Sequence, residues 1–347
     1  MINEAHKRGI RILLDFVTNH VHKDSPLYTG PNKKNWFYES QQDCNSAGWG
    51  ISCTFTSDLP DIAYSSTEAR EMMTAHAAWL VHELNIDGFR VDALKHMDLQ
   101  FTKDMSTVMK AETETTGIQL YMVGETFSFD QGQLMDFVGP DKIQGQFDFP
   151  FYQAAQGVRN GGGTLGGIKD YIENKLPYYK NRWSGALMSN FIDNHDVERF
   201  NTGGKFFETR VALAVLLTSQ QFPLMWQGTE YGAEQTPGQA KDPGNRGMVK
   251  FSGLSAEQQK TLDVAQKIGA LRQKYIALRR GKRTTLQFED NKFWVFKLEY
   301  NGETVYVAIN GTGGNKTANN IPTSHTDKTG FCSNTSVPSG MACVFAK

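Results

Sequence analysis

The sequence predicts an α/β protein followed by a small antiparallel β-domain, and two patterns carry that expectation. Across the first part of the chain, helical stretches alternate with short runs of branched apolar residues, as parallel strands with crossover helices require. Beyond residue 282 the segments shorten and alternate, as in "KFWVFKLEY" and "ETVYVAI", with Gly and Asn between them. At 347 residues the chain can hold one large domain and a smaller one. The expected division is 1–281 and 282–347, with an insertion at 21–65 interrupting the first.

Each element has its own signal. Residues 2–9 read as the tail of a helix stopped by Gly9, and "IRILLDF" (10–16) as a buried strand. Residues 21–64 are rich in turn formers and aromatics without a sustained period, too long for an ordinary connection. Met73, Ala77, Leu80, Val81 and Leu84 then recur at helical spacing, with Ser65 and Glu68 as a capping box. "IDGFRVD" predicts a strand, 98–116 a helix, "QLYMVGE" a strand and 130–137 a short helix. "GQFDFPF" reads as a strand, 164–175 as a helix, "ALMSNFID" as a strand, 205–220 as a helix and "PLMWQG" as a strand. A last helix spans about 255–280. Six strands result, near 12, 87, 121, 147, 189 and 224. A closed (β/α)8 barrel needs eight, whereas six satisfy an open doubly wound sheet; no G-x-G-x-x-G turn supports a nucleotide fold.

Composition narrows the function classes. A net charge of −1 gives no reason to expect a nucleic-acid partner. No apolar run approaches the ~20 residues that span a bilayer, so no membrane partner is expected. The N-terminus "MINEAHKRGIRILLDF" lacks the layout of a signal peptide. Aromatics make up 12% of the chain, which suits a large core and also sugar-stacking surfaces. The four cysteines form two local pairs, Cys44/Cys53 and Cys332/Cys343, which suggests two disulfides and an oxidising compartment. Neither pair has the spacing or histidine neighbours of a zinc site.

Charged residues gather at the strand ends. "DFVTNH" supplies Asp15, Asn19 and His20; "GFRVDALKH" supplies Arg90, Asp92, Lys95 and His96; "VGET" supplies Glu125; "FIDNHD" supplies His195 and Asp196. Any one such acid has a plain structural reading, capping the next helix or pairing with a neighbour. Four strand ends with the same habit favour a shared rim within reach of one ligand. Carboxylates, an arginine and histidines together fit glycosidic bond cleavage, which needs one carboxylate as nucleophile and one carboxylic acid as proton donor. A guanidinium beside a carboxylate favours its ionised form, and crowding with burial raises the pKa of a proton donor. A carboxylate metal site is the competing use of the same residues.

At these residues the chain resembles the α-amylase family of glycoside hydrolases, retaining enzymes built on a (β/α)8 barrel. "DFVTNH", "GFRVDALKH", "GET" and "FIDNHD" stand in the order of the family's four signatures, and "LPDIA" (59–63) resembles the motif closing its inserted B domain. The resemblance covers nearly the whole chain and implies Asp92 as nucleophile, Glu125 as general acid/base and Asp196 as the carboxylate that binds sugar hydroxyls. It implies substrate contacts from His20, Arg90, Lys95, His96 and His195, with Asp15 bracing Arg90. It also implies a Ca2+ ion held by Asn19, Asp61 and the backbone carbonyl of His96, hard oxygen donors of the kind calcium takes. "KDPGNRGMVKF" resembles the family's late loop, where Asp242 and Arg246 would meet sugar.

The expected activity is endo-acting, retaining hydrolysis of α-1,4-glucosidic bonds in starch- or glycogen-type glucans by a secreted monomer. The rivals are a maltooligosaccharide-acting α-glucosidase, cyclomaltodextrinase or transglycosylase, and a non-catalytic carbohydrate-binding or accessory protein on the same fold. Two departures from the family pattern stand out. Gln221 and Trp226 replace a glycine and a tyrosine near the last strand, a change expected to be structural. The first signature begins at residue 11, although in the family it lies on the third barrel strand. The sequence therefore predicts a barrel lacking its first two strands, a fragment from which any signal peptide would also be missing.

Overall fold

A computed structural model describes residues 1–39, 42–44, 50–236, 238–239 and 241–347; parts of the expected 21–65 insertion, at 40–41 and 45–49, lie outside the described residues. The chain divides into two compact units, Met1–Phe147 with Tyr179–Met188, and Asp148–Tyr178 with Ser189–Lys347. This division cuts through the sequence-predicted first domain. The 1–281 and 282–347 scheme rests on the change of strand type and remains a proposal.

The first unit is a four-stranded parallel sheet in the order β1 (Leu13–Phe16), β2 (Gly88–Val91), β3 (Tyr121–Gly124) and β4 (Gly145–Gln146). Helices Thr67–Leu84 and Leu99–Thr116 cross between the strands. They pack on each other, with the Arg70 Nε to Asp104 Oδ2 pair at 2.8 Å. The apolar strand face meets them: the Phe89 ring lies 4.9 Å from Phe16, and Phe16 lies 5.8 Å from His76 on the first helix. That helix starts one residue later than predicted, with Ser66 accepting from Ala69 N, and Leu84 at its end stays 39% exposed. Its carboxyl end closes on Asn85 in the left-handed region, and the next helix closes on Gly117 in the same way. Among its described residues the insertion holds only short helical turns, Pro26–Thr29 and Lys33–Trp36, with the Cys44–Cys53 disulfide beyond them.

The second unit carries a parallel pair, β5 (Ser189–Asn190) and β6 (Phe222–Pro223), and the antiparallel C-terminal sheets. Helix Phe206–Leu217 reads "FFETRVALAVLL", and every residue from Thr209 onward is buried, as an all-round apolar helix must be. Arg272 satisfies the carbonyls that follow, donating to Leu217 O, Ser219 O and Gln221 O at 2.6–3.0 Å on the way into β6. The larger antiparallel sheet has the order β11 (Thr326–Asp327), β13 (Ala342–Ala346), β9 (Glu303–Asn310), β8 (Phe293–Tyr300) and β7 (Lys282–Glu289). A two-stranded sheet, β10 (Lys316–Thr317) with β12 (Ser336–Val337), lies beside it in sequence. Phe293, Val295, Ala308, Val337 and Phe345 form one core there, and the predicted Cys332–Cys343 disulfide is present.

All six predicted parallel strands are found, where a closed (β/α)8 barrel has eight. Two of them need correction: "PLMWQG" shares only Pro223 with β6, and the strand before β5 ends early. "GQFDFPF" is strand only at Gly145–Gln146; a helix, Phe149–Asn160, starts almost at once. The Asp148 carboxylate caps it by accepting from Phe151 N at 3.2 Å, and Pro150 sits in the first turn. The alternation of phenylalanines hid an ordinary Asp-x-Pro helix start. Among the described residues no helix is long and apolar enough to cross a membrane.

Candidate active site

Ladder register aligns the charged residues of the first unit. Asp15 lies opposite Arg90 across β1 and β2, and Arg90 opposite Val123 on β3. One step further on, Asp92 N donates to Phe16 O at 3.2 Å and Glu125 N to Val91 O at 2.8 Å. Asp92 and Glu125 therefore leave adjacent parallel strands at the same carboxyl-terminal edge. Two glycines make this pairing possible. A Cβ on Gly88 would collide with the Tyr121 backbone, and one on Gly124 with the Leu94 and Ile143 side chains.

Arg90 organises the edge. Its Nη1 donates to Asp15 Oδ1 at 2.9 Å and also to Asp92 Oδ1. Its side chain is 11% exposed against 21% for Asp92. Burial works against the guanidinium charge, but Asp92, Asp15 and Glu125 outweigh it and hold the Arg90 pKa above its ordinary value. The guanidinium also lies 5.6 Å from the Phe147 ring centre.

Glu125 is buried and meets a donor that sequence reading missed. Its Oε2 accepts from the Ala93 N–H at 3.2 Å. Ala93 adopts φ 49°, in the left-handed region that costs a non-glycine residue of order 1 kcal/mol or more. Leu94 N donates to Glu125 O at 2.8 Å, so the strained turn is tied to the strand end whose carboxyl it contacts. Nothing about an alanine at this position signals such a conformation.

His20 and His96 flank the same edge through Phe55, whose ring meets them edge-on at 5.3 and 4.9 Å. Burial lowers the pKa of His20, opposed by Asp92, and burial likewise lowers that of His96, opposed by its bond to Gly50 O. Both imidazoles are therefore neutral at neutral pH and suited to hydrogen-bonding with hydroxyls. His96 Nδ1 meets Gly50 O at 3.0 Å, and Lys95 Nζ donates to Phe127 O at 3.2 Å.

The three residues expected to hold calcium lie on segments the fold brings together. His20 and Asp61 form an antiparallel bridge, Ile62 N donates to Asn19 O at 2.9 Å, and Thr18 Oγ1 reaches Met97 Sδ at 3.0 Å. Asn19 is buried with both amide atoms lacking a hydrogen-bond partner. Burial pushes the Asp61 carboxyl up to about 8, against the pull of the Cys53 and Ile62 backbone donors. An orphaned amide oxygen and a desolvated carboxyl on adjoining segments fit a hard divalent cation, which would bind the first and offset the desolvation of the second.

The second unit presents His195 and Asp196 on a turn after β5. Asn194 Oδ1 accepts from Asp196 N at 2.8 Å and Val197 N at 3.2 Å. Asp196 Oδ2 lies 3.1 Å from His195 Nε2, and its Oδ1 lies 3.3 Å from Arg246 Nη2. Arg246 Nε is also 3.1 Å from Asp242 Oδ1. The neighbouring acid of "FIDNHD", Asp193, has the structural role instead. It is fully buried with its pKa raised by desolvation, and accepts from Phe200 N at 2.9 Å and Thr229 Oγ1. Trp226, expected to be merely structural, lies with its ring 5.6 Å from that of His195.

Thus the first unit brings together Asp15, Asn19, His20, Asp61, Arg90, Asp92, Lys95, His96 and Glu125, and the second holds His195 with Asp196. A family model described as the catalytic domain of alpha amylase matches residues 1–325. The chain is 27% identical to the Beta/alpha-amylase of Paenibacillus polymyxa over 336 residues, which cover 91% of this chain and 26% of that protein. It is 28% identical to the cyclomaltodextrin glucanotransferase of Bacillus sp. (strain 38-2) over 334 residues, 89% of this chain and 44% of that one. The crystal structure of the α-amylase from Geobacillus thermoleovorans complexed with acarbose matches with a TM-score of 0.83 at 27% identity, covering 99% of this chain and 78% of that chain. The chain spans less than half the length of those two curated relatives.

Proposed function

The chain belongs to the α-amylase family of glycoside hydrolases, and on that premise we propose that it hydrolyses internal α-1,4-glucosidic bonds of starch- or glycogen-type glucans with retention of configuration. The supporting observation is the strand-edge arrangement of Asp92 and Glu125, with Arg90 bonded to Asp92. In this reading Asp92 attacks the anomeric carbon while Glu125 delivers its proton to the departing glycosidic oxygen. Glu125 then takes a proton from the water that attacks the glycosyl ester and releases Asp92. Arg90, braced by Asp15, orients the attacking carboxylate, and the Ala93 N–H steadies Glu125. Neutral His20 and His96 hydrogen-bond to sugar hydroxyls, with Lys95 beside them. Asp196 and His195 bind hydroxyls and favour the flattened, oxocarbenium-like ring.

Asn19, Asp61 and the His96 carbonyl would hold Ca2+, whose charge there would stabilise the junction of the insertion with the strand ends. Two disulfides suit an extracellular enzyme. A second reading, transglycosylation, is favoured by one observation. Phe127 and Phe129, just past Glu125, are 38% and 46% exposed and meet edge-to-face at 6.0 Å. An aromatic rim of this kind can stack on an acceptor sugar and compete with water.

Product analysis tests both readings. Soluble starch is expected to yield mixed oligosaccharides early, with the α-anomer first in the NMR spectrum. Glucose as the sole first product would refute endo attack, and a first-formed β-anomer would refute retention. Cyclic or lengthened glucans accumulating in excess maltose would favour the second reading.

A further inference from the structure

The turn carrying His195 and Asp196 is gripped from a distant part of the chain. Asn245 is fully buried, and its side-chain Nδ2 donates to His195 O and to Val197 O at 2.7 Å each, with Asn194 O at 3.4 Å. A primary amide has two N–H bonds, and both are spent on carbonyls flanking Asp196. Three carbonyls admit only the nitrogen end of the amide, so the orientation is fixed by chemistry. Asn245 is held in turn: its backbone carbonyl accepts from Trp226 Nε1 at 3.1 Å. The Trp226 ring lies 5.5 Å from the guanidinium of Arg199, a buried residue that donates to Gln227 O at 2.7 Å.

We propose that Asn245 is the positioning residue that sets His195 and Asp196 for sugar binding, with the Trp226 indole N–H as its brace. The inference rests on the role given above to Asp196. Asp196 is aimed by its backbone, which Asn194 holds from within the turn and Asn245 from outside it, so losing the two Asn245 donors turns the carboxylate without removing it. Arg246 is the competing aligner, but it is 43% exposed and touches Asp196 at 3.3 Å through one nitrogen. This also gives the tryptophan at 226 a purpose: a phenylalanine would have no N–H for the Asn245 carbonyl.

Asn245→Asp keeps the shape and removes both donors; Trp226→Phe removes only the brace. The measurements are hydrolysis of a blocked maltoheptaoside, acarbose binding by calorimetry, amide hydrogen exchange across 193–198, and Tm. Asn245→Asp is expected to lower kcat about 10²-fold at pH 7, with a much smaller change in KM, because Asp196 acts most on the distorted ring. Its activity relative to the wild type should rise as pH falls, since protonation of the introduced carboxyl restores one donor. Trp226→Phe should lose about tenfold, and it carries the test if the first variant fails to fold. The Asp196 and Val197 amides should lose exchange protection in both. Unchanged protection, or kcat within twofold of wild type in both variants, would overturn the proposal. Asp196→Asn retaining activity that Asn245→Asp loses would overturn it as well. Wild-type chain inert on every α-glucan would defeat the proposed function, while the exchange and acarbose measurements would still decide the positioning role.

Discussion

The carboxylates of the first unit and Asp196 of the second are fixed by different means. Asp92 and Glu125 follow directly on β2 and β3, and ladder hydrogen bonds run through them to Phe16 O and Val91 O. Their placement is a property of the sheet. β5 ends at Asn190, and Asp196 comes well after the ladder has run out. Side chains of Asn194 and Asn245 take over, binding backbone on both sides of it. A four-residue parallel ladder fixes the backbone of the residues at its end, whereas a two-residue strand leaves the same task to buried amides.

The largest effects should come from the ladder-held pair. Asp92→Asn is expected to reduce kcat by on the order of 10⁴-fold or more, since it removes the attacking group. Glu125→Gln should cost starch hydrolysis about 10²–10⁴-fold, yet leave the first burst of fluoride from α-glucosyl fluoride nearly intact, because fluoride departs without a proton, with slow turnover afterwards because the base of the second step is gone. Tm and the hydrogen exchange of β2 and β3 should change little, because the backbone ladder that places both residues survives. Unfolding of both variants would break the comparison, turning the carboxylates into structural ion-pair partners of Arg90.

The difference between the two regions also governs what the sequence reveals. Period-two alternation in "GFRVD" is enough to put Arg90 and Asp92 on one side of a strand, and the parallel register with β1 then follows from the fold class. The glycine of "DGF" is legible as well, since close strand approach excludes a Cβ, whereas that of "VGET" makes room for the Leu94 and Ile143 side chains. Ala93 is not: its left-handed backbone comes from tertiary contacts that no local preference encodes. Asn245 is hidden for a related reason, since its partners at 194–197 lie far off in the chain and are backbone atoms, without side-chain identity to match. Asp148 shows the opposite failure, where an apolar alternation outvoted a helix cap written plainly in the residues.

Calcium removal should separate the two regions at a smaller scale. The Asp61 carboxyl sits at about 8 in the fold, far above the 3.8 of an ordinary aspartate. A raised carboxyl pKa means the folded state holds its proton more tightly than the unfolded one, so the cation-free fold loses stability as pH climbs from about 4 to about 8. A bound cation offsets that loss. Chelation is therefore expected to lower Tm by several degrees at pH 8 and by less at pH 5. Exchange should increase at 18–20 and 60–62 while the 194–197 turn stays as it was. Equal Tm with and without chelator at both pH values would rule the cation out as a stabiliser of this junction. Loosening of the 194–197 turn would show that the two regions are not fixed independently.

The smallest effect should fall on Arg246, which tests whether the loop-held acid is aimed from its backbone or from its carboxylate. Arg246 contacts Asp196 Oδ1 at 3.3 Å and Asp242 Oδ1 at 3.1 Å, with its side chain 43% exposed. Exposed ion pairs of this kind contribute about 0–1 kcal/mol, so Arg246→Ala should shift Tm by no more than a few degrees. If the guanidinium mainly meets sugar, its loss should raise KM several-fold, lower kcat only about threefold, and leave the exchange of Asp196 and Val197 amides unchanged. A kcat loss as deep as that of Asn245→Asp would move the aiming of Asp196 from the buried amide to the exposed guanidinium. The loop-held half would then depend on salt concentration in a way the ladder-held half does not, because only the exposed pair is screened.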